Sequence, residues 1–203
     1  SVITDITACN SYDWNGMTYT ESGTYSFSGD GVSNNSSMSF DGEDDWVEIN
    51  NSIIPESGDF SVSFWANSNT STGTLAELVS QGVSGQSGFY IGYDISGMIR
   101  ISDDWQYTNV PFPFDGIWHY YSLVKSVSNT DLYIDGYIVA SIGYAIGNPT
   151  STSFRIGKQF GDHQEYFDGL MDDVHIWNTA LSQPEIQQYM SCPPTGSEEG
   201  LVG

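Results

Sequence analysis

Positive charge is what this chain has least of. Its 203 residues carry 4 Lys+Arg against 26 Asp+Glu, a formal net charge of −22. Such a field excludes nucleic acid and anionic membranes as bulk electrostatic partners. The surface suits solubility and high salt, where screening softens self-repulsion. Carboxylates that repel one another are also poised to hold Ca²⁺, whose binding offsets part of the repulsion.

Other absences narrow the chemistry. No apolar run is long enough to cross a bilayer as a helix, and the first residues do not read as a signal peptide. Long helical periodicity is missing. There is no nucleotide-binding glycine motif and no serine in a nucleophile elbow. The three histidines, His119, His163 and His175, lack metal or triad spacing. His163 alone lies in a loop, Gly161 to Glu165, from which it could reach a ligand. Cysteine is nearly absent. Cys9 and Cys192 stand near opposite ends of the chain and are read as a disulfide, because an even pair in a secreted protein favours pairing and sandwich termini often lie close together.

What is present is turn and strand chemistry. Gly (22), Tyr (13) and Phe (10) are abundant, which favours short strands joined by turns within one large all-β domain. The stretch DGIWHYYSLVKSVSNTDLYIDGYI (115–138) organises the rest. Residues 118–125 are apolar on both faces, as in a central strand covered on both sides. Leu132 and Ile134 alternate with Tyr133 before Asp135-Gly136, a pair suited to a type I′ turn. A three-stranded meander follows.

D-G-x-W-H, a strand, and then L-Y-I-D-G resembles laminin-G-like domains of the concanavalin A-like lectin/glucanase superfamily. SFDGEDDWVEI (39–49), DFSVSFWAN (59–67), SFRIGKQF (153–160) and FDGLMDDVHIWNTALSQPEIQQYM (167–190) fall in the same order as that family's other motifs. The resemblance covers roughly residues 38 to 190. It implies a two-sheet antiparallel jelly-roll β-sandwich, often with one structural calcium ion. By motif position, Asp41 and Asp172 are the first calcium ligands, with Asp44 beside them. Residues 31–192 are assigned to this sandwich. Residues 1–30 resemble the hairpin repeats of Bacteroidetes surface and secreted proteins and are expected to form a β-hairpin packed on the main domain. Ser182 caps a short helix containing Pro184 and Glu185. PPTGSEEGLVG (193–203) has linker composition, so the chain is expected to be a monomeric unit cut from a longer secreted or cell-surface protein of a marine bacterium.

Two site readings compete. Glu43, Asp45 and Glu48 form E-x-D-x-x-E, the spacing of retaining glucanases in the same superfamily. Here the pattern lies on the opening strand rather than a central one, so catalysis is not expected and no catalytic residues are assigned. Sugar binding needs flat aromatic surfaces rimmed by hydrogen-bonding forks. Trp46, Trp65, Trp118 and Trp177 occupy motif positions and are expected in the scaffold. Trp105 and Tyr107 lie outside every motif, in the proline-bearing stretch 103–115 expected to be irregular. Arg100 and Arg155 alternate with core residues and face outward. Trp105, Tyr107, Arg100, Arg155 and His163 are therefore the expected polysaccharide contacts of a non-catalytic carbohydrate-binding module. The competing class is an adhesion or protein-interaction domain.

Overall fold

The computed structural model describes residues 12–14, 17–19, 37–71, 73–83, 88–102, 106–149 and 153–203. Near the N-terminus, β1 (Tyr12–Trp14) and β2 (Met17–Tyr19) pair antiparallel, with Trp14 opposite Met17. How that hairpin sits on the rest of the chain lies outside the described residues, as does Cys9 and with it the expected bond to Cys192.

The remaining strands build two six-stranded sheets. β3 (Met38–Asp41), β5 (Phe60–Asn67), β10 (His119–Lys125), β11 (Thr130–Ile134), β12 (Tyr137–Ser141) and β14 (Asp168–Trp177) form the first, in the order β12-β11-β10-β5-β14-β3. β4 (Val47–Ile49), β6 (Ala76–Gln81), β7 (Phe89–Tyr93), β8 (Met98–Ile101), β9 (Gln106–Pro111) and β13 (Phe154–Ile156) form the second, in the order β4-β13-β6-β7-β8-β9. All these pairings are antiparallel. The architecture is the two-sheet sandwich expected from the motifs.

β10 is interior to its sheet and covered twice. Tyr121 and Leu123 enter the core between the sheets with Phe64, Val62, Phe112 and Ile91. Tyr120 and Val124, on the other face, pack with Trp177, Leu181 and Ile186. Ile186 belongs to α1 (Gln183–Ser191), so this helix covers the outer face of the first sheet. Its first turn is fixed locally: the Glu185 carboxylate accepts hydrogen bonds from the Ser182 backbone N–H and hydroxyl, both 2.6 Å. Asp135 (φ 52°) and Gly136 (φ 76°) make the left-handed pair of the turn between β11 and β12.

Three expectations are corrected. The opening stretch is two strands rather than one. β3 joins the first sheet and β4 the second, with the acidic turn 42–46 crossing between them. The stretch 103–115 contains β9, an edge strand whose side chains alternate between half-buried and exposed. Its Pro111 sits at the strand end, where a missing N–H costs nothing in the ladder. The tail is not a free linker either. The Ile176 N–H donates to the Gly203 carbonyl (2.6 Å), and Val202 donates back to Ile176 (2.9 Å). The last residues thus extend the β3 side of the first sheet along the end of β14.

Candidate functional site

The second sheet has one face in the core and one turned away from it. Pairing register identifies the outer residues: Glu48 on β4, Arg155 on β13, Ser80 on β6, Tyr90 and Gly92 on β7, Arg100 on β8 and Tyr107 on β9. Glu77 is opposite Gly92, on the same face. An irregular register between Glu77 and Val79 allows Leu78 and Val79 both to enter the core while Glu77 and Ser80 both face out.

The excursion from Gly157 to Tyr166 folds over this outer face. Ser80 Oγ donates to the Lys158 carbonyl at 2.7 Å. Arg155 Nη1 donates to the carbonyls of Gln159 (3.1 Å) and Gly161 (2.7 Å). Phe160, 2% exposed, packs on Tyr90 with ring centroids 6.5 Å apart. From the far end of the excursion, Glu165 reaches Arg100.

Beneath this cover lies a buried charge cluster. Arg100 Nη2 donates to both Glu77 Oε1 and Glu165 Oε2, and its guanidinium carbon lies 5.0 Å from the centroid of Tyr90. Arg100 and Glu77 are both fully buried. Burial pushes the Glu77 carboxyl well above the usual range; the charge of Arg100 opposes this, while Glu165 adds to it. The cluster requires a glycine at 92, since a Cβ there would fall on the Glu77 carboxylate and the Ala76 carbonyl.

At the β4 end of the face the aromatics come to the surface. Trp46, in the turn before β4, is 42% exposed. Its ring lies 6.1 Å from that of Tyr166. Lys158 Nζ sits over both, 4.3 Å from the Trp46 centroid and 4.8 Å from the Tyr166 centroid. Next to them Arg155 donates to Glu48 Oε1 from Nε (3.4 Å) and Nη2 (3.3 Å). A hydrogen bond from Ser153, together with the Arg155 charge, holds the Glu48 carboxyl below its ordinary value against the effect of burial.

The expected sugar contacts are distributed unevenly over this face. Trp105 lies outside the described residues. Tyr107 stands on β9 opposite Arg100, 49% exposed. Arg100 is corrected as a direct contact: it is buried and held by two carboxylates, so it cannot meet a ligand. Arg155 is on the same face three strands from Arg100, about 14 Å at the usual strand spacing, and it fastens the excursion as well as pairing with Glu48. His163 is exposed on the excursion. The structure therefore brings Tyr107 and Arg100 together and keeps Arg155 apart from them. Of the four tryptophans expected in the scaffold, Trp177 is fully buried and Trp65 and Trp118 are partly buried, whereas Trp46 is not a scaffold residue. The sign available in the sequence was its setting, since DGEDDW is a turn and not part of an alternating strand.

The acids sort differently from expectation too. Glu43 and Asp45 are in the exposed turn after β3, and Glu48 is on β4 facing Arg155, so the three do not share one strand face. Asp41, Asp44 and Asp45 each offer a carboxylate oxygen within 4.8 Å of the others. Asp41 Oδ1 accepts from the N–H groups of Glu43 (2.9 Å) and Asp44 (3.3 Å), which hold its carboxyl below its ordinary value. Asp172 is not with them. Asp168 is the residue opposite Asp41, and Asp172 pairs with Trp65 farther along β14. Oxygens on opposite sides of a Ca²⁺ ion stand about 4.8 Å apart, so the Asp41, Asp44 and Asp45 donor set fits such an ion.

Comparison with known proteins agrees with the two-sheet fold. The profile of the family described as the concanavalin A-like lectin/glucanases superfamily, of laminin-G type, matches residues 41–187. No curated protein matches significantly. Among solved structures, the chain is similar to a candidate carbohydrate-binding protein from Bacteroides ovatus, with a TM-score of 0.66 and 17% identity over 82% of this chain. It spans 49% of that protein. A native heptameric SAP-like pentraxin from Limulus polyphemus gives a TM-score of 0.59 and 17% identity, covering 81% of this chain and 86% of the pentraxin. Domain 4 of an extracellular arabinanase from Geobacillus stearothermophilus, in complex with arabinotriose, gives a TM-score of 0.59 and 18% identity, covering 75% of each chain. At these identities the likeness is one of fold.

Proposed function

The chain belongs to the laminin-G-type family of the concanavalin A-like lectin/glucanase superfamily, and on that footing we propose that it is a non-catalytic carbohydrate-binding module. Its role is to hold a secreted enzyme or surface protein on a polysaccharide, a marine one in keeping with a charge of −22. The observation that carries the reading is the outer face of the second sheet, where exposed Trp46 and Tyr107 flank a layer of mutually paired charged side chains. Aromatic faces beside fixed polar groups are what a pyranose or furanose ring requires. The names of the Bacteroides ovatus protein and of the arabinanase domain are consistent with this use of the fold, which alone does not establish it.

The absence of catalysis is part of the proposal. Retaining hydrolysis needs two carboxyls about 5 Å apart across one bond, one of them able to hold a proton. Glu43 and Asp45 sit in a solvated turn, and Glu48 is tied to Arg155. The one buried carboxyl raised toward the protonated form, Glu77, is closed in against Arg100. A structural Ca²⁺ held by Asp41, Asp44 and Asp45 belongs to the same reading.

The experiment is a polysaccharide screen by affinity electrophoresis with reducing-sugar release measured in parallel. Retardation without release is the expected result. Release that disappears in Glu43→Gln would make the protein a hydrolase. The adhesion reading has one observation of its own, the exposed run Tyr137, Ile138 and Val139 on β12, whose outer edge pairs in a ladder with no described strand. It gains ground only if no glycan retards the protein.

A further inference from the structure

The basic residues of this chain are few enough to account for one by one. Arg100 is held by Glu77 and Glu165. Arg155 is held by Glu48 and by the carbonyls of Gln159 and Gly161. Lys125 Nζ donates to the Gly58 carbonyl (2.6 Å) and to Asn148 Oδ1 (2.9 Å). Lys158, 9% exposed, is unlike the others, for its ammonium rests on the rings of Trp46 and Tyr166. With 26 acidic residues in the chain, a cation lodged against aromatics instead of carboxylates marks a place where the rings themselves have to be held.

A cation over an aromatic face is attracted by the ring quadrupole, most strongly when partly desolvated. Lys158 is anchored at its backbone, where its carbonyl accepts from Ser80. It therefore acts as a strut that fixes Trp46 and Tyr166 from inside and leaves the outward part of Trp46 to solvent. A surface tryptophan held in one orientation loses little rotamer freedom on binding, which is what a stacking platform needs. Beside it Glu48, whose side chain is 30% exposed, offers acceptor oxygens, and Arg155 fixes them in place. The combination is an aromatic plane with an oriented carboxylate at its edge, which takes a ring through one face and its hydroxyl hydrogens through the edge.

Resting on the carbohydrate reading above, we propose that the ligand is a neutral glycan, bearing neither carboxylate nor sulfate, and that it docks at Trp46 and Tyr166 with Glu48 accepting from its hydroxyls. Charge decides the class. A uronate or sulfated chain would meet a field of −22 and no cation that is not already engaged, and its own charge would lie against Glu48 and the acidic turn before Trp46. Hydroxyls carry no such penalty and supply the donors that a carboxylate accepts.

The test is affinity electrophoresis of the full chain in gels containing neutral polysaccharides (laminarin, xylan, galactomannan, arabinan) or anionic ones (alginate, polygalacturonate, carrageenan). The best binder is then titrated calorimetrically against wild type, Trp46→Ala, Trp46→Phe, Glu48→Gln and Tyr144→Ala. Retardation in a neutral gel is expected, with affinity lowered roughly tenfold or more in Trp46→Ala, less in Trp46→Phe, and left within about twofold in Tyr144→Ala, an exposed tyrosine away from this face. Binding to a neutral glycan that survives Trp46→Ala, in a variant that melts cooperatively, overturns the site while the carbohydrate reading stands. Preferential retardation by the anionic polymers overturns the ligand class alone. Retardation by none of them removes the carbohydrate reading and this inference together.

Discussion

Nδ1 of His119 lies 2.7 Å from Oδ2 of Asp135, and its Nε2 lies 3.2 Å from Oδ2 of Asp115. The other oxygen of Asp135 accepts the Tyr120 N–H at 3.0 Å. The two halves of the sequence motif, D-G-x-W-H and Y-I-D-G, are thus one hydrogen-bonded unit that ties the start of β10 to the turn after β11. Burial alone would lower the His119 pKa, but the hydrogen bonds and charges of Asp135 and Asp115 outweigh it and the net shift is upward. A raised histidine gives stability that is fully present below the unfolded value, about 6.5, and is lost as pH rises through the folded value. His119→Phe should therefore cost about 1 kcal/mol near pH 6 and less near pH ~9. Thermal melts of both proteins across that range check it, and a pH-independent gap would show that the ring acts only through packing.

Arg100 should be the most expensive basic residue to remove. Arg100→Met leaves the buried Glu77 carboxyl and the partly buried Glu165 carboxyl without their shared cation, a loss of about 3–5 kcal/mol. The direction of the Glu77 shift adds a pH test. A carboxyl raised by burial contributes stability that is present below the unfolded value, about 4.3, and is lost as pH rises through the folded value. Without Arg100 that loss deepens, so the variant should be closest to wild type near pH ~4.5 and farthest from it near pH ~8. Adding Glu77→Gln should recover part of the difference at the higher pH. Urea unfolding at the two pH values measures all of this, and equal penalties at both would refute the role assigned to the carboxyls.

The fold was legible because its signals are local. Alternation in 118–125, the Asp135-Gly136 turn and the Ser182 cap each depend on neighbours in the chain, and all three are present. The site was only partly legible because its contacts are not local. Nothing near Arg100 in sequence announces Glu165, 65 positions away, and alternation assigns a face without saying that an excursion from β13 will cover it. Trp46 was misread for a related reason. Its motif position suggested scaffold, but the chain changes sheets at that turn, and a residue at a crossing is not bound by either sheet's in-and-out pattern.

The Cys9–Cys192 bond remains an expectation about residues near either end of the chain. In the chain-entropy model, closing a loop of that length is worth about 5 kcal/mol. A thiol count under denaturing, non-reducing conditions should give none per chain, and reduction should lower the melting temperature. Two thiols per chain before reduction would dispose of the bond.

Calcium binding should be lost with Asp41 and not with Asp172. The three carboxylates of Asp41, Asp44 and Asp45 lie within 4.8 Å of one another. Two backbone N–H groups hold one oxygen of Asp41 in place, so the loop is shaped before an ion arrives. Asp172 is opposite Trp65, four residues beyond the partner of Asp41 and so about 13 Å along β14, too far to share the ion. Binding confined to the folded state stabilises it by about 2.7 kcal/mol when Ca²⁺ is a hundredfold above its dissociation constant. For a domain of this size that is a rise in melting temperature of roughly 5–10 °C. Asp41→Asn and Asp44→Asn should each abolish the difference between calcium and chelator, and Asp172→Asn should preserve it. Because the turn 42–46 leads directly into Trp46 and β4, calcium should also sharpen glycan binding at that edge of the sheet. Titrating the best glycan with and without chelator reads this separately from stability. A melting curve that chelator leaves unchanged, in protein that carries no metal as purified, would dismiss the ion.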